Sequence, residues 1–355
     1  VRSWFECPRP RLRPVFGWST WAVLALPDLM AGGGSGRPTA VSLFTGCGGS
    51  DAGLIEAGFD IVLANDICRY AREFYLANLP ETDYKLADIT TLSSFPEADL
   101  LVGCYPCQGF SEGGVRKANR GINYLYQQFD RVLRLIRPKA FIVENVQGLT
   151  RSNFRHLLNN QIIRFRLARY RVQTRLLNAA DYGVPQERRR VFLVGIRSDI
   201  DAQYEFPEAT HGSGEGQHPY VTIRDAIEGL PDWPEGEYCD DPFHWYYMSR
   251  NRRRGWDELS KTIVSTARHM LLHPISPTLS RVGPDCWEWT TDEPRRRFSF
   301  REASALQGLS AEAVFPDTDR MHSETAGLRM KYRVVGNAVP PPLFRAVAGT
   351  LPEIW

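Results

Sequence analysis

From residue 40 onward, short apolar runs alternate with stretches whose apolar positions recur at helical spacing. The runs AVSLF (40–44), DIVLAND (60–66), DLLVGCY (99–105), AFIVENV (140–146) and RRVFLVGIR (189–197) are rich in β-branched and aliphatic residues and close on turn or charged residues. Continuous apolar runs of this length predict strands buried on both faces. Between them, SDAGLIEAGF and YLYQQFDRVLRLIRP carry apolar residues at helical spacing. Strand and helix in alternation predict a doubly wound α/β domain, Rossmann-like, with a mainly parallel sheet.

Past residue 200 the periodicity weakens. HGSGEGQHPY and EGLPDWPEGEYCDDP are dominated by glycine, proline and polar residues, and predict loop. Helical spacing returns in SFREASALQGL (299–309), and regular structure in YRVVGNAVPPPLFRAVAGTL (332–351). The expected plan is an N-terminal extension over 1–37, a main α/β domain over 38–200, a smaller irregular domain over 201–296, and a segment over 297–355 that completes the main domain.

Composition narrows the class. The chain has 355 residues and a net charge of +2, so total charge does not point to a polyanionic partner. Distribution says more: of 43 basic residues only five are lysine, and arginines cluster at 151–175, 250–254 and 295–301. Arginine suits bidentate contacts to phosphate and base edges, although a bias toward arginine codons would give the same pattern. Seven cysteines, an odd and scattered set, do not form a disulfide framework and favour a reduced, cytoplasmic setting. The apolar run within the first 29 residues is too short to span a bilayer, and Met30 is the expected functional start.

AVSLFTGCGGSDAGL sets Gly46, Gly48 and Gly49 between a strand and a helix. Such glycines let the backbone approach a nucleotide-like ligand, with an acid about 20 residues on for ribose hydroxyls; Asp66 fits that spacing. Position 51, where the dinucleotide fingerprint carries its third glycine, is aspartate. A cofactor without a pyrophosphate is therefore favoured, S-adenosylmethionine being the adenosine-containing candidate. Asp88 could approach an adenine edge, or simply cap a turn.

GCYPCQGFSEGG holds Cys104 and Cys107, and a lone C-x-x-C fits redox and metal chemistry about equally well. Its setting adds information: Cys104 ends a strand, whereas Cys107 falls on the loop beyond the carboxyl edge of the sheet, where open α/β folds bind ligands. Glu144 ends another strand at the same edge, and a carboxyl group in a dry pocket can stay protonated and donate to a ring nitrogen. In PQERRRVF, Arg188 and Arg190 alternate onto one face, where they could hold a base carbonyl and a phosphate.

Taken in order, FTGCGG, PCQGFS, ENV, QERRR and GNAVPPP resemble the DNA (cytosine-5)-methyltransferases. The resemblance covers about residues 38–200 and 296–350. It implies an S-adenosylmethionine-binding catalytic domain, a small target-recognition domain, double-stranded DNA as partner and no metal. It also implies roles: Cys107 as nucleophile, Glu144 as the acid at cytosine N3, Arg188 and Arg190 on the substrate, and Phe44, Gly46, Gly48, Gly49, Asp66, Asp88 and Asn337 around the cofactor. Cys104 becomes a bystander. The loop from Gln108 to Gly121 would close over a base flipped out of the duplex.

The sequence departs from the family pattern at Ser42, where many members carry an acid, and in the spacing of NRGINYLY. A thiol-disulfide oxidoreductase would leave Glu144 and the arginines unexplained, and a zinc deaminase needs P-C-x-x-C where position 110 is phenylalanine. The tRNA branch of the family carries a Cys-Phe-Thr signature that does not occur here. The expected protein is a prokaryotic modification enzyme, monomeric, cytoplasmic and associated with the nucleoid through DNA, protecting sites cut by a cognate restriction endonuclease. The arginines of SRNRRRGWDELSKTIVSTARHMLLHP, with Thr262 and Ile263, are expected to face DNA.

Overall fold

The computed structural model describes residues 36–106, 124–310, 312–317 and 323–355. Its centre is a seven-stranded sheet built from β1 (Thr39–Leu43), β2 (Asp60–Asp66), β3 (Tyr84–Leu86), β4 (Leu100–Gly103), β5 (Ala140–Val146), β6 (Tyr170–Asn178) and β8 (Arg189–Arg197), in the order β3-β2-β1-β4-β5-β8-β6. Pairing is parallel from β3 through to β5, and only β8 runs against its neighbours β5 and β6. The five apolar runs of the sequence are five of these strands. The chain leaves β1 to build β2 and β3 on one side, then returns to build β4 and β5 on the other. The crevice beyond the carboxyl ends of β1 and β4 is thus a topological switch point, the position where open α/β sheets bind ligands.

Helices cover the sheet: α1 (Gly49–Glu56), α2 (Arg69–Asn78), α3 (Tyr126–Ile136) and α4 (Arg155–Leu167) early in the chain, and α8 (Pro341–Gly349) near its end. On one face Phe129, Phe141, Phe165 and Tyr170 interlock edge to face at 5.0–5.8 Å. On the other, Leu343, Phe344 and Val347 of α8 pack against Leu100, Ile142 and Phe192. The stretch 332–351 is not one helix: α7 (Glu324–Asn337) ends before Ala338–Pro340, and Pro341 opens α8 at a position where its missing N–H costs nothing.

Residues 201–296 hold little regular structure: α5 (Ile223–Ile227), the short β9 (Ser260–Lys261) beside β7 (Gln186–Glu187), and a hairpin of β10 (Leu279–Gly283) and β11 (Cys286–Trp289). Their apolar residues share a core with the C-terminal segment of the chain. Ile223, Ile263, Met270 and Leu271 cluster with Phe298, Phe300, Tyr332 and Val335, the last four on or beside α6 (Phe300–Leu306) and α7.

The arginine cluster at 295–301 is partly structural, which corrects a reading of it as a nucleic-acid surface. Arg296 is buried and holds Glu302 through two 2.7 Å bonds, while Glu302 also completes the capping box of α6 with Ser299. Arg297, fully buried, donates to the Arg268, Cys239 and Asp241 carbonyls and lies 4.1 Å from the Phe243 ring centroid. Arg253 likewise donates to the carbonyls of Ser276 and Pro274. Folding this loop-rich region leaves many carbonyls without a ladder partner, and arginine's several donors satisfy them. Among the described residues no helix is long and apolar enough to cross a membrane.

Candidate active site

The glycine turn after β1 sits at the switch point. Gly46 and Gly48 adopt φ of 57° and 88°, conformations that favour glycine. Asp66 braces the turn: Gly46 N donates to its Oδ2 at 3.0 Å and Cys68 N to its Oδ1 at 2.8 Å. Gly49 is needed for another reason, since a Cβ there would lie 2.2 Å from the Val339 carbonyl oxygen. Phe44, half-buried and itself at φ 57°, sets its ring edge-on to Tyr105 at 5.9 Å. Asn337 closes α7 with an exposed side chain, two residues before Val339. Space is open beside Gly46, where a Cβ would meet nothing within 4 Å. These residues therefore fit a cofactor with an adenosine moiety. Asp88 is exposed and caps a short turn, accepting from Thr90 N and Oγ1, both on Oδ1, at 2.9 and 2.8 Å.

Beneath the turn lies a residue that the sequence pattern did not single out. Asp51, fully buried, accepts hydrogen bonds from Ser42 Oγ at 2.5 Å, Thr45 Oγ1 at 2.6 Å, Tyr75 OH at 2.9 Å and Ser50 Oγ at 3.0 Å. Burial pushes its carboxyl above the ordinary range, against the pull of those hydroxyls. The signal was present as an aspartate in place of the third glycine. It marks a carboxylate that fixes the turn from below.

On the other side of the switch point, Cys104 N extends the ladder by donating to Leu43 O at 3.2 Å, one residue past β4. Tyr105 is anchored twice: its OH donates to Gln161 Oε1 at 2.5 Å, and Asn145 Nδ2 donates to its carbonyl at 3.3 Å. Asn145 thus ties the Cys104–Pro106 turn to β5. Cys107 and the loop from Gln108 to Gly121 lie outside the described residues. The thiol of Cys104 is pushed well up by burial and then by the charge of Glu144, which keeps it protonated.

Glu144 projects from β5 and is buried, with Arg190 of β8 placing Nε 2.9 Å from its Oε1. Burial raises the carboxyl group above its ordinary range although Arg190 and then Arg188 pull it down. Desolvation wins, as expected for a carboxyl group in a dry site. Arg188 differs from the expectation that it touches substrate. Its side chain is buried and its donors go to three carbonyls, Ile263 at 3.2 Å, Gly336 at 3.1 Å and Ala338 at 2.9 Å. Gln186 extends this brace: it donates to Leu306 O and Gln307 Oε1, both at 2.8 Å, and accepts from Ile263 N at 2.7 Å. Ile263 is buried, and Thr262 donates to the Glu187 carbonyl at 2.7 Å, so this pair supports β7 where a DNA-facing role was expected.

One site therefore gathers a glycine turn, a buried acid paired with arginine, and the Cys104–Pro106 segment that precedes Cys107 in the chain. Across that whole arrangement, the family model for C-5 cytosine-specific DNA methylase matches residues 39–353. The chain belongs to that family. It is 37% identical to the Type II methyltransferase M.BspRI of Lysinibacillus sphaericus, over 90% of this chain and 82% of that one. With M.BsuRI of Bacillus subtilis the identity is 36%, over 88% and 78% of the two chains. Among solved structures, the Dnmt2 methyltransferase of S. pombe superposes with a TM-score of 0.62 at 18% identity, covering 88% of this chain and 97% of that one. That likeness concerns the fold. The protein is a DNA (cytosine-5)-methyltransferase, of a family that depends on S-adenosylmethionine and acts on DNA.

Proposed function

We propose that the protein methylates C5 of a cytosine flipped out of a specific duplex sequence, through a covalent adduct between Cys107 and C6. The observation that carries this reading is the Glu144–Arg190 pair, withdrawn from water at the sheet's carboxyl edge beside the Cys104–Pro106 segment that precedes Cys107. A cytosine ring is a poor nucleophile at C5. Attack of the Cys107 thiolate on C6, with Glu144 donating a proton at N3, converts the ring to an enamine whose C5 carries nucleophilic electron density. Bound in the pocket of Phe44, Gly46, Gly48, Gly49, Asp66, Asp88 and Asn337, S-adenosylmethionine supplies the electrophilic methyl group. The C5 proton is then lost to water, the Cys107 thiolate is expelled as the C5–C6 double bond re-forms, and N3 returns its proton to Glu144, which restores aromaticity.

The division of labour follows the geometry. Arg190 orients Glu144 and presents a cation beside the base, while Arg188 and Gln186 hold the floor of the site. Residues 38–200 and 297–355 form the catalytic domain and 201–296 the target-recognition domain. The enzyme works as a cytoplasmic monomer, methylating each strand in turn, and its modification protects sites from a cognate endonuclease.

The test is methyl transfer from labelled S-adenosylmethionine to duplex DNA and to tRNA, for wild type, Cys107→Ser and Cys104→Ser, with bisulfite sequencing of the product. Label in DNA for wild type and Cys104→Ser but not Cys107→Ser is the expected result, and the sequencing identifies the target. Label in tRNA alone would overturn the substrate, and label in neither would overturn the activity.

A further inference from the structure

Three exposed aliphatic side chains stand on two adjoining helices of the main domain. Leu135 of α3 is 56% exposed, and Ile163 and Leu167 of α4 are 55% and 69% exposed. Single exposed aliphatics are unremarkable on a protein surface, but these three share one face. Asp130, buried, is held by Arg134 at 3.1 Å and by Arg164 at 2.8 Å, and Arg134 donates to the Arg164 carbonyl at 3.0 Å, so α3 and α4 touch at this level. Leu133 lies two positions from Leu135, Phe165 lies two positions from both Ile163 and Leu167, and both are buried in the core. Two helical positions turn a side chain through about 200°, which sends all three exposed residues to the side away from the sheet. The result is an apolar strip along the seam of two helices pinned together.

The rim of the strip is cationic. Residues 126–175 contain eleven arginines and lysines against two acids, Asp130 and Glu144, both buried. Part of that charge serves the fold: Arg131 donates to the Ile89 and Leu92 carbonyls, Arg171 to those of Ser198, Ile200 and Ala202, and Lys139 pairs with Asp99. Arg166 and Arg169 are exposed and in no ion pair among the described residues. Asp199, in the turn before residue 200, is already paired with Arg197 at 2.8 Å. Arginines near a helix C-terminus suit the helix dipole, which accounts for the charges and leaves the aliphatics unexplained.

The strip stands apart from the site. α3 leads into β5 and α4 into β6, and both strands run against β8, so they start at the same edge of the sheet. The strip therefore lies toward the amino edge, across the sheet from Glu144 and the glycine turn. An occupant needs apolar groups for the strip and negative charge for the rim. Phosphate backbones supply charge alone, and a second copy meeting the same face across a two-fold axis would set cation against cation. An acidic amphipathic helix supplies both, laid along the seam.

We infer that the outer face of α3 and α4, built on Leu135, Ile163 and Leu167 with Arg166 and Arg169, docks an acidic amphipathic helix of a partner protein. Seated away from the crevice, that partner leaves methyl transfer unobstructed, so the surface recruits and does not inhibit.

The probe is a synthetic helical peptide about five turns long, with leucine along one face and glutamate on its flanks, titrated into the full chain by fluorescence anisotropy. Binding that weakens with salt is expected, with none for the same peptide carrying lysine in place of glutamate or glutamine in place of leucine. Ile163→Ser/Leu167→Ser should weaken binding by about tenfold or more, and Arg166→Glu should weaken it and steepen its loss with salt less than in wild type. Melting temperature and methyl transfer should stay at the wild-type level in both variants, with and without peptide. Absence of binding to wild type would overturn the inference, as would equal affinity in wild type and the serine variant, equal binding of the glutamate and lysine peptides, or inhibition of methyl transfer by the peptide. Binding of phosphatidylserine vesicles, or self-association in sedimentation, that the serine variant loses while no peptide binds would also overturn it, giving the face to a membrane or to a second copy.

Discussion

Arg190 Nε lies 2.9 Å from Glu144 Oε1, with both side chains largely withdrawn from water. Removing one member of such a pair strands the other without compensation, at a typical cost of about 3–5 kcal/mol. Arg190→Met should therefore destabilise the protein by about 3 kcal/mol near neutral pH. Much of that loss should return in Arg190→Met/Glu144→Gln, measured by denaturant unfolding. The pH dependence has a definite sign. Burial raises Glu144 in the folded state, and loss of Arg190 raises it further, so between the unfolded and folded pKa the native state binds more protons. Stability then falls as pH rises through that window. Arg190→Met should accordingly be less impaired at pH 5 than at pH 8.

Chemistry gives a second readout of the same carboxyl group. With Glu144 as proton donor at N3, Glu144→Gln should lower kcat by about 10²–10⁴-fold while leaving S-adenosylmethionine binding intact. Single-turnover methyl transfer checks this, and a kcat within a factor of a few of wild type would remove Glu144 from the reaction.

Arg188 is the brace of the site. Its contacts reach the β9 side through Ile263, the end of α7 through Gly336 and the α7–α8 linker through Ala338. Arg188→Met removes the donor from the buried Ile263 and Gly336 carbonyls and leaves Ala338 O to Gln307 alone, and should cost about 3 kcal/mol. Arg188→Lys, a point charge without the planar fork, should recover only part of it. Because Asn337 ends α7 and Val339 lies in the linker just after it, the variant should weaken S-adenosylmethionine binding more than it slows transfer at saturating cofactor, a KM-against-kcat split that steady-state kinetics resolves.

Where side chains announce their burial, the sequence was easy to read. The apolar runs of β4, β5 and β8 are buried on both faces, so their composition alone marked them. β6 was missed because it is the edge strand and most of its residues between Arg171 and Leu176 stay exposed, giving a polar run with no buried signature. The antiparallel sense of β8 has no local signal at all. Charge was the least legible feature. Arg188, Arg296 and Arg297 look like surface cations in sequence, yet each is buried against carbonyls that irregular backbone leaves unpaired.

Ser42 shows how a departure from a family pattern can be offset elsewhere. An acid was expected at that position, and the structure brings the Asp51 carboxylate to 2.5 Å from the Ser42 hydroxyl. The buried carboxylate is supplied by α1, not by β1. Ser42→Asp alone would force two carboxylates together in a desolvated site, and should abolish cofactor binding. Ser42→Asp/Asp51→Ser should restore at least part of it. Calorimetric titration with S-adenosylmethionine distinguishes the two, and a fully active Ser42→Asp single variant would show that the network tolerates a second acid.

Gly49 offers the most local test of the pocket. A Cβ there would stand 2.2 Å from the Val339 carbonyl oxygen, a backbone atom that no rotamer change can move aside. Gly49→Ala must therefore displace either the glycine turn or the linker between α7 and α8, and Asn337 is the helix end that leads into that linker. The expected outcome is loss of S-adenosylmethionine affinity by at least tenfold, about 1.4 kcal/mol, with a lowered melting temperature. Gly349→Ala supplies the control. It lies at the end of α8 with nothing within 4 Å of its added carbon, so the higher helix propensity of alanine should leave stability equal or slightly raised. Gly49→Ala binding cofactor as tightly as Gly349→Ala would mean that the linker yields without cost, and that Asn337 does not help to hold the cofactor in the way its position beside the turn implies.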